Sequence, residues 1–214
     1  MPTIRAILFD FGGVILASPI AAFRAYEARL GLPVGFVQQI NSHDPDTNAW
    51  ACMERGELDE ATFFARFEAE ALALGHALDG RAVLGLITGG LRPEMVDAVR
   101  ALKKRYVVAC LTNNMPLGHG TAMASTPSLA APVAEVMTLF DHVVQSSRIG
   151  ARKPEPRFFE TACAVVGVPP EECVFRDDHG MNLKPARVMG MQTIKVGDPA
   201  TALADLAALL GHAI

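Results

Sequence analysis

Five short apolar runs constrain the fold of this chain most strongly: residues 4–9, 107–111, 142–145, 173–175 and 193–196. Helical patterns separate them, so they read as strands of a parallel sheet. In "RPEMVDAVRALKKRY" the residues Met95, Val96, Val99, Leu102 and Tyr106 share one helical face, and Pro93 occupies a favoured first-turn position. Comparable helices are predicted over 155–166, 182–189 and 200–210.

The interval 17–90 breaks the alternation. It holds two amphipathic helical patterns, "SPIAAFRAYEARLG" and "LDEATFFARFEAEALALG", with Phe23, Phe63, Phe64 and Phe67 as core candidates and no convincing strand. At 214 residues the chain can form one sizeable domain and a smaller insert. The expected division is therefore a core of residues 1–16 and 91–214 and a helical insert of residues 17–90. The stretch "NNMPLGHGTAMASTPSLAAP" after the second strand reads as a long loop rich in small residues. No internal repeat is visible.

A composition with 50% hydrophobic and 20% charged residues describes an ordinary water-soluble globule. A formal charge of -4 and a pI near 5.9 give no reason to expect nucleic acid or an anionic membrane as partner. Cys52, Cys110, Cys163 and Cys173 lack CxxC spacing and sit mostly in apolar runs, as reduced core residues do. The start "MPTIRAILFD" has no charged leader followed by an apolar segment, and no run reaches the length of a membrane span. A cytoplasmic location is the expectation; the oligomeric state is left open.

Several polar residues fall at predicted strand ends: Asp10 after the first, Thr112 and Asn113 after the second, Asp177 and Asp178 after the fourth. Lys153 stands in "GARKPEPRFF" at a helix entry. The carboxyl ends of a parallel sheet converge on one crevice, so three acids, a hydroxyl, an amide and a lysine would meet there. Clustered carboxylates repel unless a cation sits among them, and an oxygen-only set favours Mg²⁺. Taken singly, each is an ordinary cap, turn or surface residue. Arg176, just before the acids, is expected to form an ion pair with Asp177.

The segments "FDFGGVI", "LTNN", "GARKPEP" and "VFRDDHGMNLKPARVMGMQTIKV" resemble the four motifs of the haloacid dehalogenase (HAD) superfamily of hydrolases. The last is especially similar to the N-terminal phosphatase domain of soluble epoxide hydrolase and to HAD domains fused to acyl-CoA dehydrogenases. The resemblance covers essentially the whole chain. It implies an α/β fold, a Rossmann-like core whose parallel sheet is flanked by helices, with an inserted all-helical cap. It also implies roles. Asp10 would be the nucleophile that forms an aspartyl phosphate; Thr112 and the backbone N–H of Asn113 would hold phosphoryl oxygens; Lys153 would neutralise them and position Asp10. Mg²⁺ would be held by Asp10, Asp178 and the carbonyl of Gly12, with Asp177 in direct or indirect support and Asn182 orienting the acidic loop. The substrate would be a small phosphorylated metabolite.

One position departs from the pattern. Phosphatases of this superfamily usually carry a second aspartate two residues after the nucleophile, as acid and then base; here that residue is Gly12. Losing a general acid costs about 10²–10⁴ in rate, roughly 3–5 kcal/mol of barrier. Three outcomes follow: restriction to good leaving groups, replacement by another group such as His119 or His179, or binding without turnover. The alternatives to a phosphatase are accordingly a noncatalytic binding or assembly module and a 2-haloacid dehalogenase, whose halide departs unprotonated.

Overall fold

A computed structural model of the chain describes residues 3–87, 89–120, 123, 124 and 126–214. Strand β1 (Ala6–Phe9) leads into five helices, α1 (Ile20–Leu30), α2 (Phe36–Ser42), α3 (Ala49–Glu54), α4 (Glu60–Ala73) and α5 (Gly80–Leu84). An alternating series follows: α6 (Pro93–Leu102), β2 (Val107–Thr112), α7 (Pro127–Met137), β3 (His142–Gln145), α8 (Ser146–Ile149), α9 (Pro156–Val166), β4 (Cys173–Asp177), α10 (Gly180–Val188), β5 (Gln192–Lys195) and α11 (Pro199–Leu210). The five strands form one sheet in the order β3-β2-β1-β4-β5, every pairing parallel.

Strand alternation sorts the core into two layers. Ile7, Phe9, Val108, Cys110 and Val174 pack with Met95 and Val99 of α6, Val133 of α7 and Leu206 of α11. Ala6, Leu8, Ala109, Leu111 and Phe175 face the other way, onto Phe158, Phe159 and Ala162 of α9 and Leu183 and Ala186 of α10. Burial on both faces is why these strands read as near-continuous apolar runs. The helices between β1 and α6 bury their own cluster, with Phe23, Phe63, Phe64 and Phe67 at its centre, joined by Met115 and Leu117 from the segment after β2. The chain leaves and returns to the sheet layer side by side: Ala17 N–H donates to Gly90 O (2.8 Å), and Arg92 N–H to Ile15 O (2.9 Å).

Some sequence expectations need correction. Strand β2 runs one residue further and β4 two residues further than their apolar runs, because Thr112 and Arg176–Asp177 continue the ladder with polar side chains. The stretch 113–132 is not all loop. From Pro127 it is the start of α7, whose Ala-rich composition carries Pro132 within the helix. Thr121, Ala122 and Ser125 of that stretch, like Thr88 of the insert, lie outside the described residues. All four cysteines are free, and Cys163 alone among them is only partly buried. Among the described residues no helix is long and apolar enough to cross a membrane.

Arg176 is not paired with Asp177. Successive residues of a strand point to opposite faces, so Asp177 turns toward Lys153 while the Arg176 side chain enters the apolar layer beneath β4. There it is fully buried, its guanidinium lies over the Phe9 ring at 5.2 Å, and Nη2 approaches Met95 Sδ at 4.0 Å. Nε and Nη1 find no partner among the described residues, and burial lowers its pKa to about 10. An uncompensated buried charge destabilises the folded state. Arg176→Met, which keeps the apolar stem and removes the charge, is expected to raise the thermal midpoint by about 2–8 °C. Differential scanning fluorimetry checks this; a lowered midpoint would mean the guanidinium is satisfied after all.

Candidate active site

The strand order places β1 between β2 and β4, so the chain turns that follow these three strands share one rim. Asp10 leaves β1, Thr112 ends β2, Asp177 ends β4, and Asp178 follows it. Lys153 arrives from the turn between α8 and α9. The carboxylates of Asp10, Asp177 and Asp178 offer oxygens that all lie within 4.8 Å of one another. Lys153, 1% exposed, reaches into this cluster with Nζ 2.7 Å from Asp10 Oδ1 and 2.8 Å from Asp177 Oδ2. Its apolar stem brings the ammonium over the Phe175 ring at 5.5 Å.

The three acids differ in what they have left to offer. Asp177 is saturated by protein donors: Oδ1 accepts from the His179 N–H (2.7 Å) and Asn182 Nδ2 (3.1 Å), Oδ2 from Asn182 Nδ2 (3.0 Å) and Lys153. Asn182 thus clamps the acidic turn from the first turn of α10. Asp10 uses Oδ1 for Lys153 and for the Phe11 N–H at 2.6 Å, and its Oδ2 has no hydrogen bond or ion pair among the described residues. Asp178 is partly exposed and makes no ion pair among the described residues. Thr112 is buried at the end of β2, with no side-chain hydrogen bond to another described residue.

Burial and the neighbouring Asp177 carboxylate push the Asp10 carboxyl well above the usual range, against the pull of Lys153. The same two causes raise Asp178. For Lys153, burial opposes the charge, but Asp10 and Asp177 outweigh it and hold the ammonium protonated. Three carboxylates, once ionised, outnumber the one ammonium in this largely buried crevice. An all-oxygen donor set with that surplus fits a hard divalent cation such as Mg²⁺.

The glycine pair after Asp10 has two different jobs. Gly13 has φ +75°, and a Cβ built there would lie 2.0 Å from Asp178 Oδ2, so only glycine lets the acidic turn approach the loop after Asp10. The Gly13 carbonyl is held by Arg92 Nη1 at 2.7 Å. Gly12 has no such need: its φ lies outside the left-handed region, and a Cβ there would meet nothing within 4 Å.

Sequence reading named Asn113 for its backbone N–H but missed what its side chain does at Lys153. The Asn113 side chain brackets its backbone, Oδ1 accepting the Lys153 N–H (2.8 Å) and Nδ2 donating to the Lys153 carbonyl (2.9 Å). Asn114 and Ser146 exchange bonds between the turns after β2 and β3 at 2.9 and 3.1 Å. The second asparagine of "LTNN" enters that exchange through its backbone, while its Oδ1 accepts from Ser147 Oγ at 3.1 Å. Glu54, at the end of α3, gave no signal in the sequence. His179 is exposed at the entry of α10, beside Asp178, whereas His119 is exposed on a turn pinned to Ala124 and makes no hydrogen bond or ion pair with the acidic cluster among the described residues.

A family model of haloacid dehalogenase-like hydrolases matches residues 4–190. The chain is 31% identical over 213 residues to acyl-CoA dehydrogenase family member 10 of Mus musculus, and 30% identical over 219 residues to bifunctional epoxide hydrolase 2 of the same organism. Each match takes in 97% of this chain but only 19% and 39% of those longer proteins. Among solved structures, a HAD family enzyme of Bacteroides thetaiotaomicron in complex with magnesium and inorganic phosphate superposes with a TM-score of 0.62 at 21% identity, covering 91% of this chain and 94% of that one. The parallel sheet with acids at its carboxyl rim and the match over most of its length place this chain in the family of haloacid dehalogenase-like hydrolases.

Proposed function

We propose that this hydrolase is a Mg²⁺-dependent phosphatase of small phosphorylated metabolites, working through an aspartyl phosphate on Asp10, with residues 17–90 as a helical cap over the site. The observation that carries this reading is the cluster of Asp10, Asp177 and Asp178 around a single buried Lys153. A halide-releasing site needs no such surplus of carboxylate. The known phosphate complex of the Bacteroides relative adds support for this substrate class.

In the first step the free oxygen of Asp10 attacks phosphorus, the P–O bond to the leaving group breaks, and the departing oxygen takes a proton. In the second, water attacks the phosphorus of the aspartyl phosphate and releases orthophosphate and the Asp10 carboxylate. Lys153 favours the ionised form of Asp10 and aims it. Thr112 and the Asn113 N–H hold phosphoryl oxygens, and Asp177 with Asn182 fixes the acidic turn. Asp10, Asp178 and the Gly12 carbonyl would hold Mg²⁺, which supplies neutralisation of the phosphoryl charge. With glycine at position 12, proton delivery to the leaving oxygen falls to solvent or to His179.

The test is calorimetric titration of Mg²⁺ into purified protein, paired with aryl phosphate assays with and without the metal. Because Asp10 and Asp178 hold protons more tightly than free carboxyls, binding should release protons, and apparent affinity should rise with pH across the range where they ionise. Hydrolysis that survives complete metal removal would count against the proposal, as would Mg²⁺ binding without proton release at acidic pH. Gly13→Ala is expected to weaken Mg²⁺ at least about tenfold, since its methyl group occupies the Asp178 carboxylate position. Unchanged affinity in that variant would show that Asp178 is not a ligand.

A further inference from the structure

Glu54 lies in the helical insert, far from any motif, yet it is buried against the core (7% exposed). Its two oxygens serve three donors. Oε2 accepts from Arg152 Nε (2.5 Å) and Asn113 Nδ2 (3.0 Å), and Oε1 accepts from Trp50 Nε1 (2.9 Å). Two of those donors flank Lys153: Arg152 precedes it in the chain, and Asn113 brackets its backbone.

An asparagine amide can present its oxygen or its nitrogen to a given neighbour. At Asn113 the choice matters, because only one orientation lets Oδ1 accept the Lys153 N–H. The Glu54 carboxylate decides it. With Nδ2 between two acceptors, Glu54 Oε2 and the Lys153 carbonyl, both of its hydrogens are used; the flipped amide would set Oδ1 against a buried carboxylate. A chain of contacts therefore runs from α3 through Asn113 and Arg152 to the Lys153 backbone, and through Nζ to Asp10.

We propose that Glu54 is a positioning residue, the contact by which the helical insert fixes Lys153 against the nucleophile. Its catalytic consequence rests on the phosphatase reading above; its structural consequence does not. A second contact between the same regions supplies a control. Arg55 Nη1 pairs with Glu155 Oε1 at 3.2 Å and makes no bond to Asn113.

The experiment compares wild type, Glu54→Ala, Glu54→Gln, Arg55→Ala, Asn113→Ala and the Glu54→Ala/Asn113→Ala pair by hydrogen exchange at the Lys153 amide and by aryl phosphate kinetics. Glutamine keeps the volume but has one acceptor oxygen for three donors, so it reports even where alanine impairs folding. Both Glu54 variants should speed Lys153 amide exchange and lower kcat by about tenfold, the scale of one charge-assisted hydrogen bond, with KM little changed. Arg55→Ala should do neither, and Glu54→Ala should add less once Asn113 is alanine than it does alone, because only the Arg152 route is left. Unchanged exchange in the Glu54 variants, equal changes in Arg55→Ala, or full additivity with Asn113→Ala would overturn the assignment. A wild-type protein without phosphatase activity would refute the phosphatase reading while leaving the exchange measurements to decide the role of Glu54.

Discussion

Asp10→Asn will cut phosphate-ester hydrolysis by about 10⁴-fold or more, the scale on which removal of a covalent nucleophile acts. The change exchanges one oxygen for nitrogen at nearly constant volume, and Lys153 keeps Asp177 as its partner at 2.8 Å. The fold should therefore persist. Stability moves in the opposite direction to activity. The folded-state pKa of Asp10 lies above its unfolded value, so folding is favoured by the protonated form, and ionisation as pH rises penalises the metal-free folded chain. Asparagine removes that penalty. The metal-free variant should melt above wild type at neutral pH, and the gap should close in acid, where wild-type Asp10 carries its proton. Circular dichroism melts across pH, with stopped assays on rigorously purified protein, test both halves. Retention of more than a small fraction of wild-type turnover would refute the covalent role.

The same residues show what the sequence could and could not disclose. The sheet was legible because central strands buried on both faces are apolar along nearly their whole length, as in the run 107–111 of β2. Helix α7 was not, because small residues and two prolines imitate a loop, while its packing through Val133, Val136 and Met137 supports it as a helix. At the site, residues at strand ends could be placed from topology alone, since a parallel sheet delivers its carboxyl ends to one rim. The Lys153 contacts with Asp10 and Asp177 follow from that rule. Glu54 does not: it stands 59 positions from Asn113 and 98 from Arg152, and nothing local distinguishes it from a surface glutamate. Arg176 misled for a related reason. Its sequence neighbour Asp177 suggested a pair, whereas strand alternation sends adjacent side chains to opposite layers.

Gly12→Asp will change which phosphate esters the protein hydrolyses, and the site geometry makes the substitution feasible. Position 12 has ordinary backbone torsion and open space where a Cβ would go, in contrast to Gly13, where a methyl group would collide with Asp178. The absence of a carboxyl group at position 12 is thus a matter of side-chain chemistry, and the fold does not require it. In wild type an alkoxide must leave without a carboxylic acid to protonate it, while a phenolate or carboxylate needs little help. Rates across a series of aryl, acyl and alkyl phosphates should fall steeply with leaving-group pKa. An aspartate at position 12 adds a proton donor to the first step and a base for the water of the second. Alkyl phosphate turnover should rise by about 10²–10⁴, aryl phosphate turnover should change far less, and the slope against leaving-group pKa should flatten. Mg²⁺ affinity should stay within a few-fold of wild type, because position 12 is read as contributing only its carbonyl to the metal. A wild-type slope already near zero under conditions where chemistry limits the rate would mean that another group donates the proton. His179→Ala, at the residue beside Asp178, would then be expected to steepen it, with His119→Ala as the comparison.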